Sequence, residues 1–237
     1  GSLAKYVSGA EAKEHRNMVS NSLLRALKME NNPAIKTFLM ERLQKIAGDE
    51  AVPVPEKYLT DPELTDPAAM ALVEIGSPKA EEALAGALES SNTQVLLAVI
   101  SALGELETKD NIETISKIAG ENSGELRKVA LHTLALSRSP EAEDILLEAA
   151  EDNNFKYDPG NATASLLIYV NRLGEEGHVK TMGKLVDDIM KECDEKELVH
   201  IRTQALSNLV TFKQEDALDE IIDALDSPYM EYRRAAL

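Results

Sequence analysis

Four histidines, one cysteine and 42 carboxylates are the side chains of this 237-residue chain with the most chemistry to offer. His15, His132, His178 and His200 each stand apart, and none opens a His-Glu pair. The sequence has neither H-E-x-x-H nor H-x-x-E-H, the spacings that place two imidazoles and a base on one helix face around zinc. His132 and His200 fall where helices are expected and read as surface or inter-repeat hydrogen-bonders. Cys193 follows Glu192, and no nearby His or Lys would hold a thiolate. It reads as a small helical residue, and a single cysteine cannot form an intrachain disulfide. The serines and threonines show no nucleophile elbow. Gly174-Glu175-Glu176-Gly177 lacks the lysine and the preceding strand of a phosphate loop. No catalytic, cofactor-binding or metal-binding residue is assigned, and no cofactor is expected.

The charge balance narrows the partners. With 25 basic residues against those carboxylates the net charge is −17, and such a chain repels phosphate. Nucleic acid is therefore not an expected partner, and a basic protein is. No stretch is long and apolar enough to span a membrane. Aromatic residues make up 4% with no Trp, and Leu, Ala, Glu and Lys dominate. That composition suits helices rather than a β-sandwich.

The elements that position these residues repeat. Leu72, Leu103 and Leu134 fall 31 residues apart, with Leu64, Val95 and Leu126 matching upstream. The pattern continues, with drift, through Leu43, Val170 and Leu209. Within a unit, Val95, Val99, Ile100 and Leu103 line one face of a first helix. A tight turn follows, as at Gly76-Ser77-Pro78, and then a second helix. Asp61-Pro62, Ser91-Asn92, Asn122-Ser123, Asp158-Pro159 and Ser227-Pro228 are expected to cap successive first helices. One such hairpin cannot bury both faces, whereas stacked neighbours can. The expected fold is all-α, a right-handed α-α superhelix of the armadillo or HEAT type. Residues 3–32 would form an N-terminal helical cap or partial repeat. Residues 33–237 would form six repeats and the start of a seventh, as in a piece of a longer protein.

The stretch Ala71-Leu72-Val73-Glu74-Ile75-Gly76-Ser77-Pro78-Lys79-Ala80 resembles HEAT-like repeats of the bilin-lyase-type subgroup. This resemblance implies fold strongly and function weakly, because such repeats serve many roles. Gly-Ser-Leu-Ala-Lys-Tyr-Val-Ser at 1–8 and Asp-Glu-Ala-Val-Pro-Val-Pro-Glu-Lys-Tyr-Leu at 49–59 are similar to HEAT arrays of gut Bacteroidetes proteins. In those proteins the array is joined to a keto-disaccharide-hydrolase-like carbohydrate module. The resemblance implies a scaffold or interaction segment of an exported, carbohydrate-active protein whose catalytic part lies elsewhere. The alternative function is an enzyme surface of the HEAT-like lyase or hydroxylase kind. The repeated His-Glu pairs of the di-iron hydroxylases are missing.

Two candidate binding surfaces follow. Second helices expected near 79–90, 109–121, 140–152, 175–192 and 213–226 hold 23 acidic and seven basic residues, a balance of −16. The HEAT resemblance implies that these helices line a concave groove, which Glu215, Asp216, Asp219, Glu220 and Asp223 would make attractive to a basic partner. Acids at helix starts also complement the helix dipole, so this charge has a purely structural reading as well. The other surface is the insertion Asn153–Gly160. Its Phe155 and Tyr157 either form a contact site or, for Phe155, tuck between repeats. Basic residues at Lys36, Arg127, Arg202 and Arg233 recur at one position of the first helices. They are expected to pair with turn acids of neighbouring repeats. The sequence leaves the oligomeric state open.

Overall fold

A computed structural model describes residues 13–237. The 1–8 segment and the first part of the expected N-terminal cap lie outside the described residues. The fold is all-α, an α-solenoid with thirteen α-helices and no strand among the described residues. They are α1 (Lys13–Met29), α2 (Pro33–Leu43), α3 (Thr65–Ile75), α4 (Pro78–Gly86), α5 (Thr93–Glu105), α6 (Ile112–Glu121) and α7 (Gly124–Ser137). Then come α8 (Glu141–Glu151), α9 (Ala162–Glu175), α10 (Val179–Glu192), α11 (Val199–Lys213), α12 (Leu218–Leu225) and α13 (Met230–Ala235). The chain forms two compact units, one ending at Ile115 and the other beginning at Ser116.

The first unit shows how the sequence makes a hairpin. Ala68, Ala69, Ala71 and Leu72 of α3 are buried and face α5, whose Val95, Val99, Ile100 and Leu103 are buried in turn. Small alanines let the helices approach while the larger aliphatics fill the layer. Gly76 ends α3 at φ +60, the left-handed turn that costs glycine least. Ser77 Oγ then accepts from Ala80 N at 3.3 Å, and Pro78 opens α4 where a missing N–H is no loss. Asn92 caps α5 in the same way, accepting from Gln94 N at 2.9 Å. Between α2 and α3 the repeat pattern expects a second helix. The chain instead makes two 3-10 turns, Asp49–Ala51 and Pro55–Tyr58. Pro53 and Pro55 remove backbone donors that an α-helix there would need.

In the second unit each hairpin stacks on the next. Helix α9 packs against α7 and α11, its counterparts in adjacent repeats, and against α8 and α10. Leu166, Tyr169, Val170 and Leu173 of α9 are buried, as are Met182, Leu185, Val186 and Ile189 of α10. This nearest-neighbour burial is what makes the array, rather than one hairpin, the stable object.

Several helix starts differ from the sequence expectation. Asp61 does not cap α3; its carboxylate accepts from Glu63 N at 3.0 Å, and α3 begins at Thr65 after an extra turn. Asp158 acts from a distance on α9, accepting from Gly160 N at 2.7 Å and Ala162 N at 3.0 Å. Ser227 Oγ accepts from Tyr229 N, and α13 begins at Met230. Asn92 and Ser123 do occupy N-cap positions, although Ser123 makes no side-chain cap bond.

Candidate interaction surfaces

The second helices do not carry the negative charge evenly. Helix α8 holds Glu141, Glu143, Asp144, Glu148 and Glu151 with no basic residue, and α12 holds Asp219, Glu220 and Asp223 with none. Helix α10 is balanced, with Lys180, Lys184 and Lys191 against Asp187, Asp188 and Glu192. The expected bounds placed Glu175 and Glu176 on this helix. Gly177, at φ +80, turns the chain so that Glu175 closes α9 and Glu176 lies in the turn. A continuous acidic strip over all second helices is therefore replaced by two acidic patches, on α8 and around α12.

Electrostatic proximity links these helices across the second unit. Partial burial raises the pKa of Glu143; neighbouring Asp144 and Asp188 add to the rise, and Lys184 opposes it. Burial likewise raises the pKa of Asp187, with Lys213 opposing and Glu220 and Asp188 adding. Glu143 on α8 thus senses Asp188 on α10, and Asp187 senses Glu220 on α12. Of the five acids expected to bind a partner, Glu220 is already engaged, 3.1 Å from Lys213 Nζ. Glu215, Asp216, Asp219 and Asp223 are exposed.

The aromatic insertion splits by role. Asn154 and Phe155 both take left-handed backbone, φ +51 and +56. That conformation is unusual for a bulky side chain. It folds the loop back so that Phe155 N donates to Ala150 C=O at 2.9 Å and the ring is buried. Tyr157, two residues on, is 90% exposed. A cleft of about 650 Å³ lies beside the buried ring, lined by Glu151, Glu192, Glu195 and Lys156. A smaller, more apolar groove of about 180 Å³ is lined by Phe155, Tyr157, Leu167, His200 and Ile201.

Arg127, Arg202 and Arg233 reach back to residues that precede their own helices, whereas Lys36 reaches forward to Tyr58. Arg127 Nη1 donates to Ala119 C=O at 3.0 Å, Arg233 Nη1 to Ser227 C=O at 2.6 Å, and Arg202 Nη1 meets Asp194 Oδ1 at 2.6 Å. Lys36 Nζ lies 4.7 Å from the Tyr58 ring centre. Only Arg202 meets the expected turn acid. Arg127 and Arg233 satisfy carbonyls left without helical partners.

The residues with chemical potential are placed as follows. Cys193 is fully buried, and desolvation, helped by Glu192, pushes its thiol up to about 11. Such a thiol is not a nucleophile at neutral pH. His132, His178 and His200 are exposed. Desolvation, then Arg172 and Lys128, lower the pKa of His132, and His178 Nε2 lies 3.7 Å from Glu176. Among the described residues no group of three or more His, Cys, Asp or Glu is placed to hold a metal ion. No helix among them is long and apolar enough to cross a membrane. Gly174, in the rejected phosphate loop, has a packing role: a Cβ there would run into the ring of Phe212 on α11.

Sequence reasoning missed one surface. Leu218, Ile222 and Leu225 of α12 are exposed although α12 is strongly amphipathic. The signal was present in their spacing, but the acids of the same helix drew the reading.

A model of HEAT repeats matches residues 59–130 and again residues 81–166. Among solved structures the chain is similar to a designed armadillo repeat protein, at 16% identity and a TM-score of 0.38, covering 91% of this chain and 95% of that one. It is also similar to a second engineered protein, at 16% identity and a TM-score of 0.32, covering 99% and 92%. No curated protein matches the sequence.

Proposed function

We propose that the chain is a non-catalytic interaction scaffold that takes a basic protein partner on the carboxylates of α8 and α12. The carrying observation is the distribution of charge: five acids on α8 and three on α12 without a basic residue on either helix. A surface with exposed charge of one sign steers oppositely charged partners and sets which ones are rejected. The cleft lined by Glu151, Glu192 and Glu195 offers room for a lysine or arginine side chain between the ends of α8 and α10. Tyr157, exposed at the rim of the neighbouring groove, supplies an aromatic contact.

The similarity of 49–59 to HEAT arrays joined to a carbohydrate module supports a further step. In this reading the scaffold serves a larger, exported carbohydrate-active protein, and its repeats belong to the bilin-lyase-type subgroup suggested by Ala71–Ala80.

The test is affinity capture of proteins from the source organism at low and high salt, with two charge-reversed chains beside the native one. One carries Asp144→Lys and Glu148→Lys, the other Asp219→Lys and Asp223→Lys. All four positions are exposed, so folding should survive. Basic proteins should be captured at low salt, released by high salt, and lost in at least one reversed chain. Capture that both reversals leave unchanged would remove the proposal.

A further inference from the structure

The insertion between α8 and α9 separates two recesses. The cleft of about 650 Å³ is walled by Glu151, which ends α8, and by Glu192 and Glu195, at and just after the end of α10. Lys156 also lines it but is paired with Glu197 at 3.6 Å, so the cleft remains negative. The apolar groove of about 180 Å³ has Leu167 of α9 and Ile201 of α11 in its walls. Phe155 and Lys156 line both recesses and form the wall they share. Helix α9 packs against α7 and α11, and α11 packs against α9 and α13, so both recesses have packed helices on either side.

Two further observations point to what these recesses receive. The N–H and C=O of Tyr157 bond to no other main-chain group among the described residues, and the residue is 90% exposed. Asp158, standing before Pro159, favours extended backbone. The loop thus presents a main-chain donor and acceptor next to the wall between the recesses. Thr163, 8% exposed, lines the groove, and its Oγ1 has no hydrogen-bond partner. A buried hydroxyl in that state lacks what the amide or carbonyl of a ligand supplies. The groove is smaller than the roughly 300–1,000 Å³ of sites for small organic ligands, and it suits a single large side chain.

We infer that the loop at 156–158 docks an extended segment of a partner protein, which sets a large apolar side chain in the groove and, two residues away, a lysine or arginine in the acidic cleft. The inference rests on the proposal that the chain takes a basic partner, and it names the contact that such a partner makes. In extended backbone, residues i and i+2 point the same way about 6.6 Å apart, which suits two recesses sharing one wall. Pairing with the N–H and C=O of Tyr157 holds the segment, and the recesses read its alternate side chains. Charge complementarity selects the partner, because Glu151, Glu192 and Glu195 reject an acidic side chain and favour a cationic one. A helix sets its neighbours three or four residues apart and keeps its main-chain groups for itself, so it matches neither the recesses nor Tyr157.

The test uses the whole chain and an array of peptides Thr-X-Thr-Z-Thr, with every residue type at X and Z. Retention should need leucine, isoleucine or phenylalanine at one variable position and lysine or arginine at the other. In fluorescence anisotropy the best of these, labelled, should bind at least about tenfold more tightly than its counterpart with glutamate for the basic residue. It should exceed a helix-stabilised peptide with the same two side chains at i and i+4 by a similar factor. Glu192→Gln with Glu195→Gln should remove the preference for a basic residue over glutamate. Ala164→Leu, which fills the groove from its wall, should weaken the peptide at least about tenfold. Both glutamates are exposed and Ala164 is partly so, and circular dichroism should show both variants folded. No retained peptide, equal retention of acidic and basic ones, tighter binding of the helical peptide, or binding indifferent to both variants would overturn the inference. If basic proteins are still captured, and lost on charge reversal, while the extended peptides fail, the docking inference falls and the broader function stands.

Discussion

The phenol of Tyr169, fully buried in α9, donates to the backbone carbonyl of Ser139 at 3.0 Å, tying one repeat to the turn before the second helix of its predecessor. The same carbonyl accepts from Ala142 N at 3.0 Å, so it keeps one partner if the phenol is removed. Tyr169→Phe should therefore cost about 0.5–1.5 kcal/mol, measured by urea unfolding. Burial, and then Glu143, Glu141, Asp144 and Glu176, raise the Tyr169 pKa above its ordinary 10.0. The neutral phenol is thus favoured in the folded state. Below pH 10 this titration costs nothing. Above it the unfolded chain ionises first, and stability falls as pH rises. The variant should show a shallower alkaline loss; identical slopes would show that Tyr169 does not titrate as described.

Phe155 and Tyr157 separate a packing residue from a surface one. Phe155→Ala removes a buried ring and should cost about 3–5 kcal/mol in urea unfolding. Tyr157→Ala should change stability by less than about 0.5 kcal/mol, because its side chain is exposed. A reduced affinity for a captured partner in the folded Tyr157→Ala chain would mark Tyr157 as part of the contact. A large loss of stability in that variant would contradict the placement.

Gln214, which follows α11, holds φ +52 and ψ −118. This region is left almost wholly to glycine. Its N–H donates to Val210 C=O, a bond that glycine keeps. Gln214→Gly should stabilise the chain by about 1 kcal/mol, the released strain exceeding the entropy that glycine adds to the unfolded state. An unchanged or lower midpoint in chemical denaturation would refute this.

Cys193 should resist maleimide in the native chain at neutral pH and react at once in denaturant. Its thiol is buried and its pKa is pushed up to about 11. Rapid native labelling, with the mass shift located at Cys193, would show the thiol to be reachable.

The repeat was legible because its hydrophobic period is stronger than local noise, and Leu72, Leu103 and Leu134 keep their places inside the hairpins. The turns were legible only in part. Gly76, Glu107 and Arg138 share the left-handed turn position at φ +60, +51 and +55, but only the glycine advertises it in sequence. The extra turns that delay α3 and α9 depend on where Asp61 and Asp158 send their carboxylates. Residue type alone does not specify that choice. The acidic surface was read from counts, and a shift of four residues in the start of α10 moved two glutamates off the helix. The apolar row on α12 went unread because buried and exposed aliphatics look alike in sequence until Ala217 and Ala224 are seen to take the inward face.

Hydrogen exchange of the native chain, alone and with a basic partner it retains at low salt, tests the central claim most directly. Binding to the two acidic helices predicts added amide protection in peptides covering Glu141–Glu151 and residues 215–226, lost again at high salt. Protection confined to α9 and α11, with α8 and α12 unchanged, would contradict it.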